Sequence, residues 1–351
     1  MKGKKNKKGF LGVTSRLLML IAAGLLALTY CSMLVNPSKA WWFTLLGLMF
    51  IPLALFNVFL LLWAVKRRSR AFVIPFLALL PAIFFLGRYI QVRDAEQVGS
   101  GDPTVKVLSY NVGRFSHCIP DSLFAFICNQ EPDIVCLQEF YISDIDKTRS
   151  YLRRKMKGYN SEFYLFPSSD GSAFGNVTLS RIPVKDKGKI KFDESTNLAI
   201  YTDYQYMDRT FRVYNCHFES YSISLPGVVR GVLKADKNAM ANTGSKMKRS
   251  ITRRPQQVEK VFHDIEACPL EAFVCGDFND DPMSYTYYRM SRGRKDSFRE
   301  AGNGFGATYE RLWPMLRIDY ILLPDRFDAV EHLTPRVHYS DHYPVISNIE
   351  L

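Results

Sequence analysis

AFVCGDFNDDP, residues 272–282, sets a short apolar run against a cluster of acids and amides. Ala272-Phe273-Val274-Cys275 has the composition of a buried strand, and Gly276, Asp277 and Asn279 follow it closely. Polar side chains at the C-terminal ends of strands are where open α/β sheets assemble their sites. Asp280, Asp281 and Pro282 read as turn chemistry that closes the loop. Alone, an acid after a strand is as well explained by a loop or a helix cap. The stretch decides the fold only if other strands end in the same manner.

They do. The strand pattern at 105–110 runs into Asn111, that at 134–137 into Gln138-Glu139, and that at 211–216 into His217. Further strands are predicted at 163–166, 177–179, 199–204, 318–323 and 345–349, and helices at 121–130, 144–157 and 256–267. Residues 104–351 therefore read as one mixed α/β domain, large enough for a sizeable core. Within it, Asp319 puts a carboxylate inside an apolar strand, which is costly unless paired. Asp341 and His342 stand side by side just before the last strand, and an Asp–His pair orients the ring and stabilises its protonated form. Singly, Asn111 is a turn cap and His217 a satisfied core histidine. Jointly, the segments describe a site.

The first hundred residues are of another kind. They carry 13 Lys/Arg and two acids, so that +11 of the chain's net +12 lies there and the rest carries +1. A basic nucleic-acid-binding character for the whole chain is thereby excluded. Residues 17–35, 40–65 and 71–89 are apolar runs of bilayer-spanning length, and they predict three transmembrane helices over residues 1–90. Trp41, Trp42 and Trp63 flank the second run as an aromatic belt does, and Arg88 ends the third within reach of the interface. A buried helical core would need polar faces, and a cleaved signal peptide would need a small-residue cleavage site after the first run. Lysines before residue 9, with Arg16 and the cluster Lys66, Arg67, Arg68 and Arg70, outweigh the lone Lys39 of the first loop. The positive-inside rule then puts the N-terminus in the cytoplasm and, after three crossings, the α/β domain on the outer (periplasmic or extracellular) side. Residues 91–103 read as a linker. Among seven cysteines there is no CxxC pair, which argues against zinc or thioredoxin-like sites. An even count outside the spans permits disulfides there, while Cys136, Cys216 and Cys275 sit where free buried thiols do.

SYNV (109–112), LQE (137–139), NCHF (215–218), GDFN (276–279), RIDYIL (317–322) and SDHYPV (340–345), in that order, resemble the signature of the endonuclease/exonuclease/phosphatase superfamily, with its deoxyribonuclease I-like fold. GNVTLSRIPV (175–184) is similar to another of its strand-and-turn segments, and NCHF stands where the family more often has NTHL. The resemblance covers residues 104–351. It implies a four-layer sandwich of two packed mixed β-sheets flanked by helices, and divalent-metal hydrolysis of a phosphoester. It also implies roles: Glu139 on the metal with Asn111 and Asp341, Asp277 orienting or deprotonating water, and Asn279 and His217 on the phosphate. His342, held by Asp319, would be the acid–base or charge-stabilising group, with the choice of base between His342 and Asp277 open. Hard oxygen donors favour Mg2+ or Mn2+.

Three functions follow as expectations. The first is a membrane-anchored phosphodiesterase or nuclease facing away from the cytoplasm. The second is a sphingomyelinase-like or phosphoinositide-phosphatase-like hydrolase of lipid head groups, and the third a non-catalytic binding scaffold. The partners would be a phosphoester substrate (nucleic acid or phospholipid head group) and the membrane, with no protein partner predicted. Residues 230–260 hold nine Lys/Arg against two acids, a basic insertion that would overhang the site, grip a polyanion, rest on anionic head groups or simply be solvated.

Overall fold

The computed structural model describes residues 2–93, 103–221 and 237–351, with side chains from residue 12 and, in the helix that opens the last segment, from residue 240. Most of the expected linker and residues 230–236 of the basic stretch lie outside the described residues. In chain order the strands are β1 (Ile90–Gln91), β2 (Thr104–Asn111), β3 (Ile134–Ile142), β4 (Asn160–Pro167), β5 (Ala173–Ser180), β6 (Val184–Lys191) and β7 (Leu198–Tyr206). They continue with β8 (Arg209–His217), β9 (Glu271–Asp277), β10 (Arg294–Asp296), β11 (Gly304–Phe305), β12 (Asp319–Pro324), β13 (Asp328–Leu333) and β14 (Val345–Glu350). The helices are α1 (Lys2–Ser32), α2 (Trp42–Leu48), α3 (Phe50–Lys66), α4 (Val73–Leu79), α5 (Ile83–Leu86), α6 (Pro120–Asn129), α7 (Ile145–Lys155), α8 (Lys237–Ala267), α9 (Tyr285–Met290) and α10 (Ser297–Ala301).

Two six-stranded mixed sheets face each other, in the orders β13-β14-β2-β3-β5-β4 and β10-β12-β9-β8-β7-β6. Alternation along β9 explains why its sequence is apolar throughout: Phe273 and Cys275 enter the core between the sheets, while Ala272 and Val274 pack under α8 and α9. Likewise Val105 and Val107 of β2 face the other sheet, and Leu108 and Tyr110 face α6 and α7. Helix, sheet, sheet and helix make the four layers.

Among the described residues only β2–β3 and β8–β9 are parallel, so Asn111 comes level with Gln138, and His217 with Asp277. β12 runs antiparallel to β9 and starts at Asp319 directly opposite Asp277, and β14 enters beside Ser109. Two pairs of strand ends and two strand starts thus meet at one edge. All seven cysteines are free, with Cys136, Cys216 and Cys275 buried.

Three spanning helices are expected over residues 1–90, and the structure has fewer. Among the described residues, Gly12–Ser32 is the one helix long and apolar enough, and Trp42–Leu48 with Phe50–Lys66 makes a second only if a 57° bend is counted as one span. The third run is broken into a 3-10 turn, α4 and α5, with Pro81 in the gap where its missing N–H ends α4. The three runs still pass back and forth. Met19, Leu60, Ala64 and Ala71 bury one another at the far end, while Leu26, Phe50, Ala54 and Ala82 close around Met283 at the α/β end.

Two other expectations change. Residues 237–255, read only as part of a basic insertion, belong to the 31-residue helix α8, and the predicted helix 256–267 is only its end. β6 was missed altogether: its Lys-rich sequence lies on an exposed sheet edge, where no apolar pattern is required.

Candidate active site

Gly276 opens the site loop. Its φ is +133°, and a Cβ there would stand 1.9 Å from the Cys216 carbonyl oxygen, so only glycine lets β9 pass β8 at this point. Asn279 takes φ +51°, a left-handed conformation that asparagine tolerates. Glu139 also sits at φ +51°, where the β3–β5 register shifts between Leu137 and Phe140. This bulge lies inside β3, which continues to Ile142 instead of ending at residue 137, and it turns one side chain out of the ladder at the site.

Asp277 is the centre, 1% exposed. Its Oδ2 accepts from Asn111 Nδ2 at 2.9 Å and Asn279 Nδ2 at 3.1 Å, and its Oδ1 accepts from the Asn279 backbone N–H at 2.8 Å. His217 Nε2 and His342 Nε2 each stand 3.8 Å from Asp277 Oδ2, and His217 Nε2 is also 3.8 Å from Glu139 Oε1. His342 Nδ1 bonds Asp319 Oδ2 at 2.9 Å, and the Tyr309 ring packs edge-on against the imidazole. Thr308 Oγ1 accepts from the Ile318 and Asp319 backbone N–H groups and fixes the start of β12.

The charges follow from this packing. Burial, then the charge of Asp319, push Asp277 up to about 6, with the two histidines and the Asn111 hydrogen bond opposing. Burial alone would lower His342, but Asp319 and Asp277 outweigh it and raise the imidazole to about 10. At neutral pH the site therefore holds an imidazolium between two carboxylates.

Seven of the eight predicted residues form one connected group, and Asp341 stands on the cavity wall beside them, 3.9 Å from Arg311. Two details differ from the expected roles. The Asn111 carbonyl, expected on a metal, accepts from the Gly113 N–H at 3.0 Å, while its Nδ2 faces Asp277 and, at 3.5 Å, Glu139. Asn279 Nδ2 spends its hydrogens on Phe218 O at 2.9 Å and Asp277, so it braces the loop here. Among the described residues, Asp277, Asp319 and His342 are the compact acid–imidazole cluster of metal-ligand type, with donor atoms within 4.8 Å of one another. His342 Nδ1 is taken up by Asp319, whereas the carboxylates of Glu139 and Asp341 are partly exposed on the cavity wall. Those oxygens fit a hard divalent cation.

Sequence reasoning missed the seam beneath the site. Asn215 Nδ2 donates to Leu137 O and Val177 O, Gln138 Nε2 donates to Asn215 Oδ1 at 2.8 Å, and Asn176 Nδ2 donates to Asn215 O at 3.0 Å. These buried amides stitch the two sheets together, and the signal was present in NCHF, LQE and GNV as an amide in each. It missed Asp280 and Asp281 more plainly. The turn is there, with Ser284 N–H donating to Asp281 O at 3.1 Å, but both acids are buried, Asp280 on Arg254 at 2.9 Å and Asp281 accepting from Tyr89 Oη at 2.9 Å.

Residues 108–342 match the Endonuclease/Exonuclease/phosphatase family, and residues 10–89 match a domain of unknown function, DUF8431. The structure is similar to an endonuclease/exonuclease/phosphatase from Beutenbergia cavernae (TM-score 0.52, 18% identity, 71% of this chain and 72% of that one). A family protein from Leptotrichia buccalis has a TM-score of 0.52 at 16% identity, over 70% of this chain and all (100%) of that one. The human Nocturnin catalytic domain with bound sulfate gives 0.50 at 16% identity, over 70% and 93%. Among curated proteins, none matches. These likenesses carry the fold, and with a family match across most of the chain, the protein belongs to the endonuclease/exonuclease/phosphatase family, whose members are typically phosphoester hydrolases.

Proposed function

We propose that the chain is a membrane-anchored, divalent-metal-dependent phosphodiesterase. The observation that carries this reading is His342, gripped by Asp319 at 2.9 Å and facing Asp277 Oδ2 at 3.8 Å on the wall of a cavity of about 800 Å³. A phosphodiester needs positive charge on its non-bridging oxygens and a base for water. The protonated His342 supplies the first, with His217 beside it, and Asp277, ionised above about 6, supplies the second. The water oxygen bonds to phosphorus as the bond to the leaving oxygen breaks. One water proton passes to Asp277, and the leaving oxygen takes a proton from His342, giving a phosphomonoester and an alcohol. Glu139 and Asp341 would hold Mg2+ or Mn2+, which when bound neutralises phosphoryl charge as a Lewis acid. Asn111, Asn279 and Asp319 hold the acting groups in place.

The experiment is hydrolysis of bis(4-nitrophenyl) phosphate by the full chain in detergent with Mg2+. Asp277→Asn should lower kcat by about 10³-fold, and EDTA should abolish turnover. Absence of wild-type turnover, or an Asp277→Asn enzyme within tenfold of it, would sink the reading.

The catalytic domain is proposed to face away from the cytoplasm. Support comes from the N-terminal bundle: Arg16 and the Lys66–Arg70 cluster lie toward the end where Met19, Leu60 and Ala71 pack, opposite the end that meets Met283. In intact cells a protease added outside should cleave the domain, and complete protection would reverse the assignment.

A further inference from the structure

The N-terminal helices are more than a tether, because they build part of the catalytic cavity. α1 docks by Ser32 Oγ donating to Met283 O at 2.6 Å, and α2 comes so close that a Cβ on Gly47 would stand 2.9 Å from the same oxygen. At the other end of the bundle's path, Arg88 donates to Pro282 O at 2.7 Å and Arg317 donates to Arg88 O at 3.1 Å. β1 then pairs with β11, Ile90 opposite Phe305. So held, the bend between α2 and α3 places Leu48, Ile51 and Pro52 on the wall of the cavity that contains Glu139, Asp277 and His342. Leu312, Met315 and Ile318 line the same cavity and add to its apolar surface. Arg114, His117, Ser220, Tyr221 and Arg311 also line the cavity, so its lining offers polar groups for a phosphate together with an apolar wall.

We infer that the substrate is an amphiphile: a phosphodiester bearing a long alkyl chain, its phosphate at Asp277 and His342 and its chain along Leu48, Ile51 and Pro52. This rests on the hydrolase reading above and names its substrate class. A second observation points the same way. Phe305 and Trp313 stack edge-on at 5.7 Å beside β1, each about two-fifths exposed, and Met315 is exposed with them. An exposed aromatic pair next to the end of an apolar helical bundle suits the level of lipid head groups. The same bundle bares Leu55, Phe59, Leu62, Phe76, Leu77 and Phe84 on its outside, a surface matched to hydrocarbon. A chain entering from that side passes from one apolar environment to another.

The test compares 4-nitrophenyl hexadecyl phosphate with 4-nitrophenyl methyl phosphate, which share a leaving group and differ only in the chain. The full-length protein in detergent micelles should prefer the hexadecyl ester by at least about tenfold in kcat/KM, chiefly through KM. Ile51→Trp and Leu48→Trp should each cut that preference by about tenfold. Leu20→Trp, on the exposed outside of α1 and away from the lining residues, should leave it unchanged. A preference ratio does not depend on the fraction of folded enzyme, and micelle partitioning acts on every variant alike. Equal turnover of both esters by the wild type, a preference that survives both cavity variants, or faster cleavage of a single-stranded oligonucleotide would overturn the inference while leaving the hydrolase reading standing. No turnover of any of the three would overturn both.

Discussion

Residues 277–279 and residues 280–283 are neighbours in one loop and do different work. Asp277 and Asn279 face His217 and His342, where the charge of Asp277 is held by hydrogen bonds and imidazoles. Asp280 turns the other way, into Arg254 of α8, with Tyr221 and Thr286 donating to it as well. Asp281, Pro282 and Met283 receive Tyr89, Arg88 and Ser32 from the N-terminal helices. One half of the loop sets its carboxylate among imidazoles, and the other half uses its acids and carbonyls to fix where the helices sit. Since those helices wall the same cavity, the loop couples anchor and catalytic edge over a few residues. A buried acid is therefore not evidence of catalysis in itself. What distinguishes the two kinds is the partner: Asp277 and Asp319 meet imidazoles, whereas Asp280 is held by an arginine and Asp281, although it also lines the cavity, by the Tyr89 hydroxyl.

If the site acids work through charge, removing one that never touches substrate should still move the chemistry. Asp319→Asn keeps the size of the side chain and deletes the charge that raises both His342 and Asp277. The imidazole should fall from about 10 toward its ordinary value, so the alkaline limb of kcat/KM moves to lower pH. Asp277, relieved of a like charge, should also titrate lower than about 6, so the acid limb moves the same way. The whole profile shifts down by roughly one unit or more, with about a 10²-fold loss at pH 8. A loss that is uniform across pH, with both limbs where they were, would show Asp319 to be a structural acid like Asp280.

Much of the site was legible because a polar residue that ends an apolar strand is a strong local signal. Asn111, His217 and Asp277 each stand at the end of a strand, and Asp319 opens one opposite Asp277. The two-sheet architecture was legible only through the resemblance of the motifs, since no local pattern says which strands share a sheet. Asp280 and Asp281 were not legible as buried acids. Their partners Arg254 and Tyr89 lie 26 and 192 residues away in sequence, and nothing within the loop announces them. The same holds for the amide seam, where Gln138 and Asn215 meet across 77 residues. The broken third apolar run was misread for another reason: hydropathy counts residues, whereas continuity of a helix depends on where proline falls, and Pro81 falls in the middle. The extent of α8 was hidden by Gly244, Pro255 and the density of basic residues, yet Pro255 is inside the helix and Arg254 beside it is anchored on Asp280.

The docking acids should respond to pH in stability where the site acids respond in rate. Burial, and next the charge of Asp280, raise Asp281 to about 7. An acid raised on folding binds more protons folded than unfolded between its ordinary value and the raised one. Its contribution to stability is thus complete below about 4 and is lost as pH climbs through about 7. Asp281→Asn removes the ionisation but keeps an oxygen that accepts from Tyr89. The variant should melt with the wild type near pH 4 and above it at pH 8, by a few degrees in Tm measured by scanning calorimetry of the full chain in detergent. Because the phosphate-facing groups are untouched, kcat on the methyl ester should change by less than about threefold, the smallest effect expected of any acid in the loop. If instead Asp281→Asn were to destabilise the protein most at pH 8, its carboxylate would be acting as a charge, and the division between the two halves of the loop would fall.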